Sequence, residues 1–372
     1  MITTYDVGSL PLRIGSSAIW SGARTSQTLL PLLKISEEDD SFRLFEEEVV
    51  EAFTDKLRAG VDIPNYPQFR DMNEMFFDLI RGIEKSEAGY IALGTPSAKP
   101  GTTIPEVDAL RRHASEIKDH TDADKVRIKV CVTGPYTLAS FFVSKDASLF
   151  EDLGSAISDI ASRTLFDTKH AEVSFLCIDE PVFGFLNDPL LDYGSNSRET
   201  LRRTWDGICR EATSRGVEAG IHLHDTSDDL FWEVDRLNVV ESHVVDPIYS
   251  SDTTKERLKE TDKQLKASIG ITIFDNLIAE KLRGEGESGD LQQRVGETWT
   301  EIRRGIADPY IFLESVDLLN RRLDNLIERF GLERVPYTGP ECGLMSFPTY
   351  ESAMECLKRI SETAKKFGSG VS

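Results

Sequence analysis

The amino-acid sequence predicts an α/β fold, a single (β/α)8 or TIM barrel that occupies residues 1–372 as one domain. Short β-rich runs alternate with longer helical patterns along the chain, and several of these runs are apolar on both faces. This alternation is typical of βα units around a parallel sheet that helices cover on both sides. A length of 372 residues fits one large barrel or two average domains. Eight strand candidates with no long linker between them favour one barrel.

Eight segments carry the β-rich pattern. They lie at Thr3–Leu10, Val61–Asn65, Val126–Thr133, Val173–Asp179, Glu218–His224, Val239–Val244, Lys266–Ile273 and Val335–Cys342. The third contains Val-Arg-Ile-Lys-Val-Cys-Val, and the fourth contains Val-Ser-Phe-Leu-Cys-Ile. Such runs indicate strands that are buried on both faces of a parallel sheet.

The segments between the strands carry helical periodicity. Phe42–Ala59 repeats apolar residues at helical spacing, and Leu319–Phe330 does the same before Gly331, a typical helix stop. Two stretches lack this pattern. Lys85–Pro105 is rich in Gly, Ala, Ser and Pro and is predicted to be an excursion or a lid, and Arg283–Asp290 is predicted to be a solvated loop.

The charge balance excludes several classes of partner. The chain has 64 acidic and 43 basic residues and a formal net charge of −21, which argues against nucleic acid or an anionic membrane because phosphate binding needs basic patches. No apolar run approaches the roughly 20 residues that span a bilayer. The N-terminus has no basic stretch followed by an apolar one. We therefore expect a cytoplasmic protein with neither nucleic acid nor membrane as a partner.

Five widely spaced cysteines make a disulfide framework improbable in a chain of this size. Cys131 and Cys177 lie in apolar runs and Cys209 and Cys356 in helical patterns, so these four are predicted to be small core residues. Cys342 differs, because its setting, Gly-Pro-Glu-Cys-Gly-Leu, indicates a strand end that runs into a loop.

The unusual polar residues fall at the carboxyl ends of the predicted strands. They are Gly8 and Ser9, Asp179 and Glu180, His222 and His224, Glu241 and His243, and Cys342. Barrels of this kind place their chemistry at these ends and in the loops that follow. This distribution predicts an enzyme.

Four of these residues form a candidate zinc site. His222 and His224 are two residues apart on one strand, so their side chains point to the same side. Glu241 on the next strand and Cys342 on the last could reach the same point. Imidazole, carboxylate and thiolate are all zinc ligands, and the thiolate disfavours magnesium and calcium. A His-x-His pair alone is a weak signal, since it also arises from packing.

A zinc site of this composition predicts thiol chemistry. A substrate thiol such as that of homocysteine is a poor nucleophile near neutral pH, and coordination to Zn²⁺ removes its proton. The metal then needs an exchangeable position, and Glu241 is the candidate to move. His243 either supports the metal site or acts as an acid or base; the alternative is a hydrogen-bonded histidine in the barrel mouth.

Substrate-binding candidates lie after the first and fourth strands. Asp179 could bind a substrate ammonium group by a charge-assisted hydrogen bond, with Glu180 beside it. The alternative for both carboxylates is a helix N-terminal charge or a structural pair. Ser9, after Gly8, could offer its hydroxyl and backbone donors to a substrate carboxylate; the alternative is a simple turn.

Five short motifs in this order resemble the catalytic barrel of the cobalamin-independent methionine synthase family. They are Asp6-Val7-Gly8-Ser9-Leu10-Pro11, Gln68-Phe69-Arg70-Asp71-Met72, Thr133-Gly134-Pro135-Tyr136-Thr137, Ile178-Asp179-Glu180-Pro181 and Glu341-Cys342-Gly343-Leu344. The resemblance implies a zinc-dependent homocysteine methyltransferase. It places His222, Glu241 and Cys342 at metal-ligand positions, and Ser9 and Asp179 at positions that hold the amino-acid part of homocysteine.

The chain departs from this family in three ways. It looks like the short "core" form, without the additional N-terminal half. His224 stands where the family usually has Cys, so its role as a ligand is inferred from its position. Leu277, two residues after Asp275, stands where the long enzymes carry a His that serves as an acid near folate. A methyltetrahydrofolate donor benefits from such an acid, whereas a methylcobalamin donor or a corrinoid methyl-carrier protein does not, so these departures favour the corrinoid.

Three alternative functions remain open from the sequence. Another zinc-dependent thiol alkyltransferase, of the coenzyme M type, would need cations near the thiol in place of Asp179. A metal-free lyase related to uroporphyrinogen decarboxylase would need basic residues for several substrate carboxylates, and the predicted strand ends are mostly acidic. A non-catalytic relative could have lost zinc through the change at His224.

Overall fold

The computed structural model describes residues 2–29, 40–121, 123–185, 188–286 and 289–367. Its strands are β1 Thr3–Thr4, β2 Ile80–Ser86, β3 Gly89–Ala98, β4 Val126–Thr133, β5 Ala171–Glu180, β6 Glu218–Leu223, β7 Val239–Glu241, β8 Gln264–Gly270 and β9 Tyr337–Pro340. Seven of them form one curled sheet in the order β1-β9-β8-β7-β6-β5-β4, and β2 pairs with β3 in a separate hairpin. All pairings in the large sheet are parallel.

Helices connect the strands. They are α1 Ser16–Leu29, α2 Asp40–Arg58, α3 Glu74–Phe77, α4 Pro105–Arg112, α5 Ala114–Asp119, α6 Pro135–Ala139, α7 Ala147–Thr164, α8 Asn196–Thr213, α9 Asp252–Glu260, α10 Phe274–Gly284, α11 Leu291–Arg303, α12 Val316–Phe330 and α13 Tyr350–Lys365. The two helices predicted from periodicity match α2 and α12. Helix α12 ends before Gly331, whose φ of 86° suits a residue without Cβ.

Strands β4 and β5 are buried on both faces, as their sequences predict. Val130, Cys131 and Val132 of β4 are all fully buried. Strand β5 pairs in parallel with β4, with Cys131 beside Cys177 and Thr133 beside Asp179. The predicted α/β class with a parallel sheet is thus confirmed, and it brings the carboxyl ends of the strands to one side of the molecule.

One of the eight predicted strands, Val61–Asn65, does not form a regular strand. Segment Val61–Asn65 lies between β1 and β4, and it is bonded to both: the amide of Ile63 donates to the carbonyl of Thr4 at 3.0 Å, and the amide of Lys129 donates to the carbonyl of Pro64 at 2.9 Å. Pro64 has no amide hydrogen, which interrupts a regular ladder. The structure supports a curled seven-stranded sheet, and it does not confirm a closed eight-stranded barrel.

The segment predicted to be an excursion forms most of the β2–β3 hairpin. Tyr90 of β3 stacks on Phe77, with ring centroids 4.0 Å apart, and also packs near Phe142. These aromatic contacts attach the hairpin to the body of the protein. The loop predicted at 283–290 begins within the last turn of α10, which ends at Gly284, and it ends just before α11; its residues 287 and 288 lie outside the described residues.

The cysteines are free thiols, and the four that were predicted to be core residues are all buried. Across the described residues, no helix is both long and apolar enough to cross a membrane.

Candidate metal centre and its cavity

A cavity of about 260 Å³ opens at the carboxyl ends of the strands. It is lined by Val7, Ser9, Gln68, Arg70, Asp71, Met72, Asp179, Pro181, His222, His224, Cys342, Gly343 and Met345. Five residues that the sequence singled out therefore share one cavity: Ser9, Asp179, His222, His224 and Cys342. The cavity lies where the barrel rule places a site.

The parallel register brings the candidate ligands together. His222 on β6 pairs with Asp179 on β5 at one side and with Glu241 on β7 at the other. His224 follows β6 by one residue, and Cys342 follows β9 by two. The ends of β6 and β9, which are separated by β7 and β8 in the sheet, thus supply side chains to one point.

Four side chains converge closely enough to hold a metal ion. One ligand atom from each of His222, His224, His243 and Cys342 lies within 4.8 Å of the other three. Cys342 Sγ is 3.5 Å from His224 Nε2. Both ring nitrogens of His222 are buried and have no hydrogen-bond partner among the described residues. Unpaired buried nitrogens are costly, so nitrogen and sulfur donors with this placement fit zinc.

The electrostatics of these groups also suit a metal. Burial lowers the pKa of His222 well below its usual value, and burial together with His243 lowers the pKa of His224 to about 4. Both imidazoles are therefore neutral at pH 7 and have a free lone pair. Burial raises the pKa of Cys342 to about 12, so this thiol becomes a thiolate near neutral pH only beside a cation.

Glu241 lies outside the group of four. Its Oε1 is 3.0 Å from Lys129 Nζ and its Oε2 is 2.6 Å from Lys266 Nζ, and all three side chains are buried. Its nearest approach to the metal candidates is 3.9 Å, from Oε1 to His222 Nδ1. Burial alone would raise the pKa of Glu241, but the two lysines outweigh it and hold this pKa far below its usual value. The predicted role of Glu241 as a ligand stays a prediction.

The buried lysines were not anticipated from the sequence. Lys129 contacts the ring of Tyr5, with Nζ 4.1 Å from the centroid, and Lys56 forms a 2.6 Å ion pair with Asp6. The available signal was a lysine within an apolar strand run, at Lys129 and again at Lys266. Buried charges are normally paired, so each such lysine calls for a carboxylate partner in the interior.

Asp179 lines the cavity and is only 4% exposed. Its Oδ1 has no hydrogen-bond partner among the described residues, and burial raises its pKa to about 7. The Asp179 carboxylate lies beside the thiols of Cys131 and Cys177, in a cluster that the sequence did not reveal. A carboxylate with one unpaired oxygen at a cavity wall suits a cationic ligand group.

Glu180 is directed away from this cavity. Its Oε1 accepts hydrogen bonds from the amide of Tyr136 at 3.0 Å and from Trp205 Nε1 at 2.8 Å, and its Oε2 accepts from the amide of Thr137 at 2.7 Å. A carboxylate at the N-terminus of α6 is the structural alternative that the sequence left open. Its predicted role in substrate binding remains untested.

Gly8 and Ser9 differ in position. Gly8 has φ 132°, and a Cβ there would lie 2.3 Å from Asn65 Nδ2, so this position requires glycine. Ser9 lines the cavity and lies so close to Gly343 that a Cβ on that glycine would meet Ser9 Oγ at 1.9 Å. Gly8 thus shapes the turn that presents Ser9.

Fold and site together define an α/β protein in which nitrogen and sulfur side-chain donors come together beside a cavity at the carboxyl edge of a parallel sheet. The sequence matches the family model described as "Cobalamin-independent synthase, Catalytic domain" over residues 1–281. The chain belongs to this family. The match includes His222, His224, Glu241 and His243, and it ends before Cys342.

Individual relatives agree with this assignment. A methionine synthase of Saccharolobus solfataricus is 26% identical over 154 residues, which are 40% of this chain and 45% of that protein. The alignment thus spans less than half of the relative's length.

Two solved structures share the fold. A B12-independent methionine synthase from Shewanella sp. W3-18-1, in complex with selenomethionine, has a TM-score of 0.61 at 13% identity and covers 99% of this chain and 98% of its own. A putative vitamin-B12 independent methionine synthase from Listeria monocytogenes has a TM-score of 0.57 at 15% identity and covers 99% of both chains. At these identities the likeness establishes the fold alone.

Proposed function

We propose that this protein is a zinc-dependent methyltransferase that methylates homocysteine to methionine. The observation that carries the proposal is the convergence of His222, His224 and Cys342 on one cavity that Asp179 also lines. Membership of the cobalamin-independent synthase family supports it. His222, His224 and Cys342 would hold the zinc, which when bound lowers the pKa of a substrate thiol and so makes it nucleophilic.

Asp179 and Ser9 are proposed to bind the amino-acid part of homocysteine. The unpaired Oδ1 of Asp179 would accept a hydrogen bond from the ammonium group, and the positive charge would hold the carboxylate ionised. The Ser9 hydroxyl would donate to the substrate carboxylate. Coenzyme M carries a sulfonate and no ammonium group, so Asp179 would repel it.

The proposed methyl donor is methylcobalamin or a corrinoid methyl-carrier protein. Transfer from methylcobalt forms the new carbon–sulfur bond while the cobalt keeps the electron pair, so no proton is needed at the leaving group. Leu277 is 3% exposed in the core on α10, and Asp275 Oδ1 accepts a hydrogen bond from Trp299 Nε1 at 2.6 Å. A general acid for a folate nitrogen is therefore missing from the Asp275–Leu277 turn of α10.

Two structural expectations belong with this proposal. The hydrogen bonds of Val61–Asn65 to β1 and to β4 support a closed eight-stranded barrel in which this segment fills the gap. The chain would then work as one catalytic domain, and we expect it to act in the cytoplasm.

Metal content and acceptor choice test the proposal together. We expect about one zinc per purified chain, lost in Cys342→Ala and kept in Cys356→Ala, whose buried thiol lies on α13. Methylcobalamin with homocysteine should give methionine, and coenzyme M should not be methylated. A zinc-free wild-type protein would overturn the mechanism, and equal activity with methyltetrahydrofolate as sole donor would overturn the corrinoid assignment.

A further inference from the structure

We infer that His243, and not Glu241, completes the zinc site of this chain, so that its protein ligands are three imidazoles and one thiolate. The inference rests on the proposed function in taking zinc as the metal. In this assignment the fourth protein ligand of the zinc is the imidazole of His243. The family resemblance instead implies the carboxylate of Glu241 at that position.

His243 lies close to the other candidate ligands. A ring nitrogen of His243 belongs to the group in which all ligand atoms lie within 4.8 Å of one another. Its ring centroid is 4.2 Å from that of His224 and 6.2 Å from that of His222. Its Nε2 is buried and has no hydrogen-bond partner among the described residues. A buried nitrogen without a hydrogen-bond partner is costly, and coordination to a metal would remove that cost.

The loop that carries His243 is anchored on both sides of it. The amide of Ser242 donates to the Tyr249 hydroxyl at 3.0 Å, and the amide of Val244 donates to Glu341 Oε2 at 2.9 Å. Glu341 Oε1 also accepts from the amide of Thr272 at 3.0 Å, so one carboxylate joins the loops after β7, β8 and β9. These bonds hold the backbone at His243 in place before any metal binds, and such preorganisation favours ligation.

Glu241, in contrast, already has charged partners in the interior. Each of its oxygens faces a different buried lysine, Lys129 at 3.0 Å and Lys266 at 2.6 Å. Cys177 Sγ also donates to Oε1, at 3.3 Å. If Glu241 turned to a metal, two buried ammonium groups would lose their counter-charge, which is strongly unfavourable. The two positive charges also oppose the approach of a further cation to this carboxylate.

Zinc K-edge X-ray absorption on the zinc-loaded wild-type protein tests the inference directly. Outer-shell scattering counts imidazoles, and we expect three imidazoles and one sulfur. A spectrum with two imidazoles and one additional oxygen ligand, as a carboxylate would give, would overturn the inference. Zinc binding, and thus the proposed function, would then remain intact. A wild-type protein that binds no zinc would overturn both.

Zinc affinity in variants gives an independent measurement. Competition with a chelator should show that His243→Ala weakens zinc binding by more than about 100-fold, the upper end for loss of an outer-shell partner. His120→Ala, which removes an exposed histidine remote from the group, should leave the affinity unchanged. If His243→Ala kept the wild-type affinity and sulfur count, His243 would not be a ligand. The wild-type spectrum decides the question even if this variant does not fold.

Discussion

The ionisable side chains in and below the cavity require opposite charges beside them. The Cys342 thiol, with its pKa raised to about 12 by burial, needs a cation to ionise. Lys129 and Lys266 need an anion, and Glu241 supplies it. We therefore expect metal binding to depend on Cys342 and the stability of the interior to depend on Glu241.

Glu241→Gln should lower the free energy of unfolding by about 3–5 kcal/mol, because it removes one member of a buried ion-paired set. Urea unfolding followed by far-UV circular dichroism measures this loss. Glu280→Gln is the matched control, since it breaks an exposed ion pair with Arg283 and should change little. Equal stability of the two variants would show that the buried lysines do not depend on Glu241.

At this scale the sequence predicted which residues lie beside the cavity; their roles stay predictions. The alternation of strand side chains and the strand-end rule of barrels are local regularities, and they place His222, His224 and Cys342 correctly beside one cavity. The partners of Glu241 lie on two different strands: Lys266 is on β8, the neighbour of β7, and Lys129 is on β4, three strands away in the sheet order. That contact depends on which interior side chains face one another, which a single sequence does not reveal.

At the scale of secondary-structure elements, the short helix α6 shows how a motif serves the fold. Thr133-Gly134-Pro135-Tyr136-Thr137 ends β4 and begins α6, with Pro135 in the first turn of the helix. Glu180 at the end of β5 accepts from the amides of Tyr136 and Thr137. The motif thus couples two neighbouring strands through one helix N-terminus.

Gly134→Ala should destabilise the protein by about 1–3 kcal/mol, a usual cost of overpacking. A Cβ there would lie 2.1 Å from Glu180 Oε1, and Glu180 cannot yield freely because three donors hold it. Thermal and urea unfolding measure the effect. Gly207→Ala is the control: it lies within α8 with no atom within 4 Å of the new Cβ, so it should stabilise the helix slightly. If Gly134→Ala were as stable as the control variant, the Glu180 side chain would have to move aside at no cost in free energy.

The strands were easier to predict where they are long and apolar than around the gap between β1 and β4. β4 and β5 are long and apolar on both faces, so pattern alone defines them. β1 has only two residues and Val61–Asn65 forms no regular strand, because Pro64 and the turn at Gly8 interrupt the ladder there. The β2–β3 hairpin was missed because its composition is that of a loop, and its order comes from aromatic packing of Tyr90 on Phe77.

At the scale of the whole molecule, the site and the core are separate sources of stability. A continuous cluster of buried apolar residues extends from Ile2 to Ala364 and includes both sheet and helices. The candidate ligands lie at one edge of this core, on strand ends and loops. The sheet should therefore form without metal, unlike small zinc domains that fold only around their ion.

Zinc should raise the melting temperature without being needed for the fold. A ligand that binds only the native state adds about 2.7 kcal/mol at a free concentration 100 times its dissociation constant. We expect chelation to lower the melting temperature of the wild-type protein and to leave its far-UV circular dichroism at 25 °C unchanged. Cys342→Ala should melt at the temperature of the chelated protein with or without added zinc. Loss of the β and helical signal on chelation would instead make the metal part of the folding core, and a wild-type melting temperature insensitive to saturating zinc would exclude a native-state zinc site.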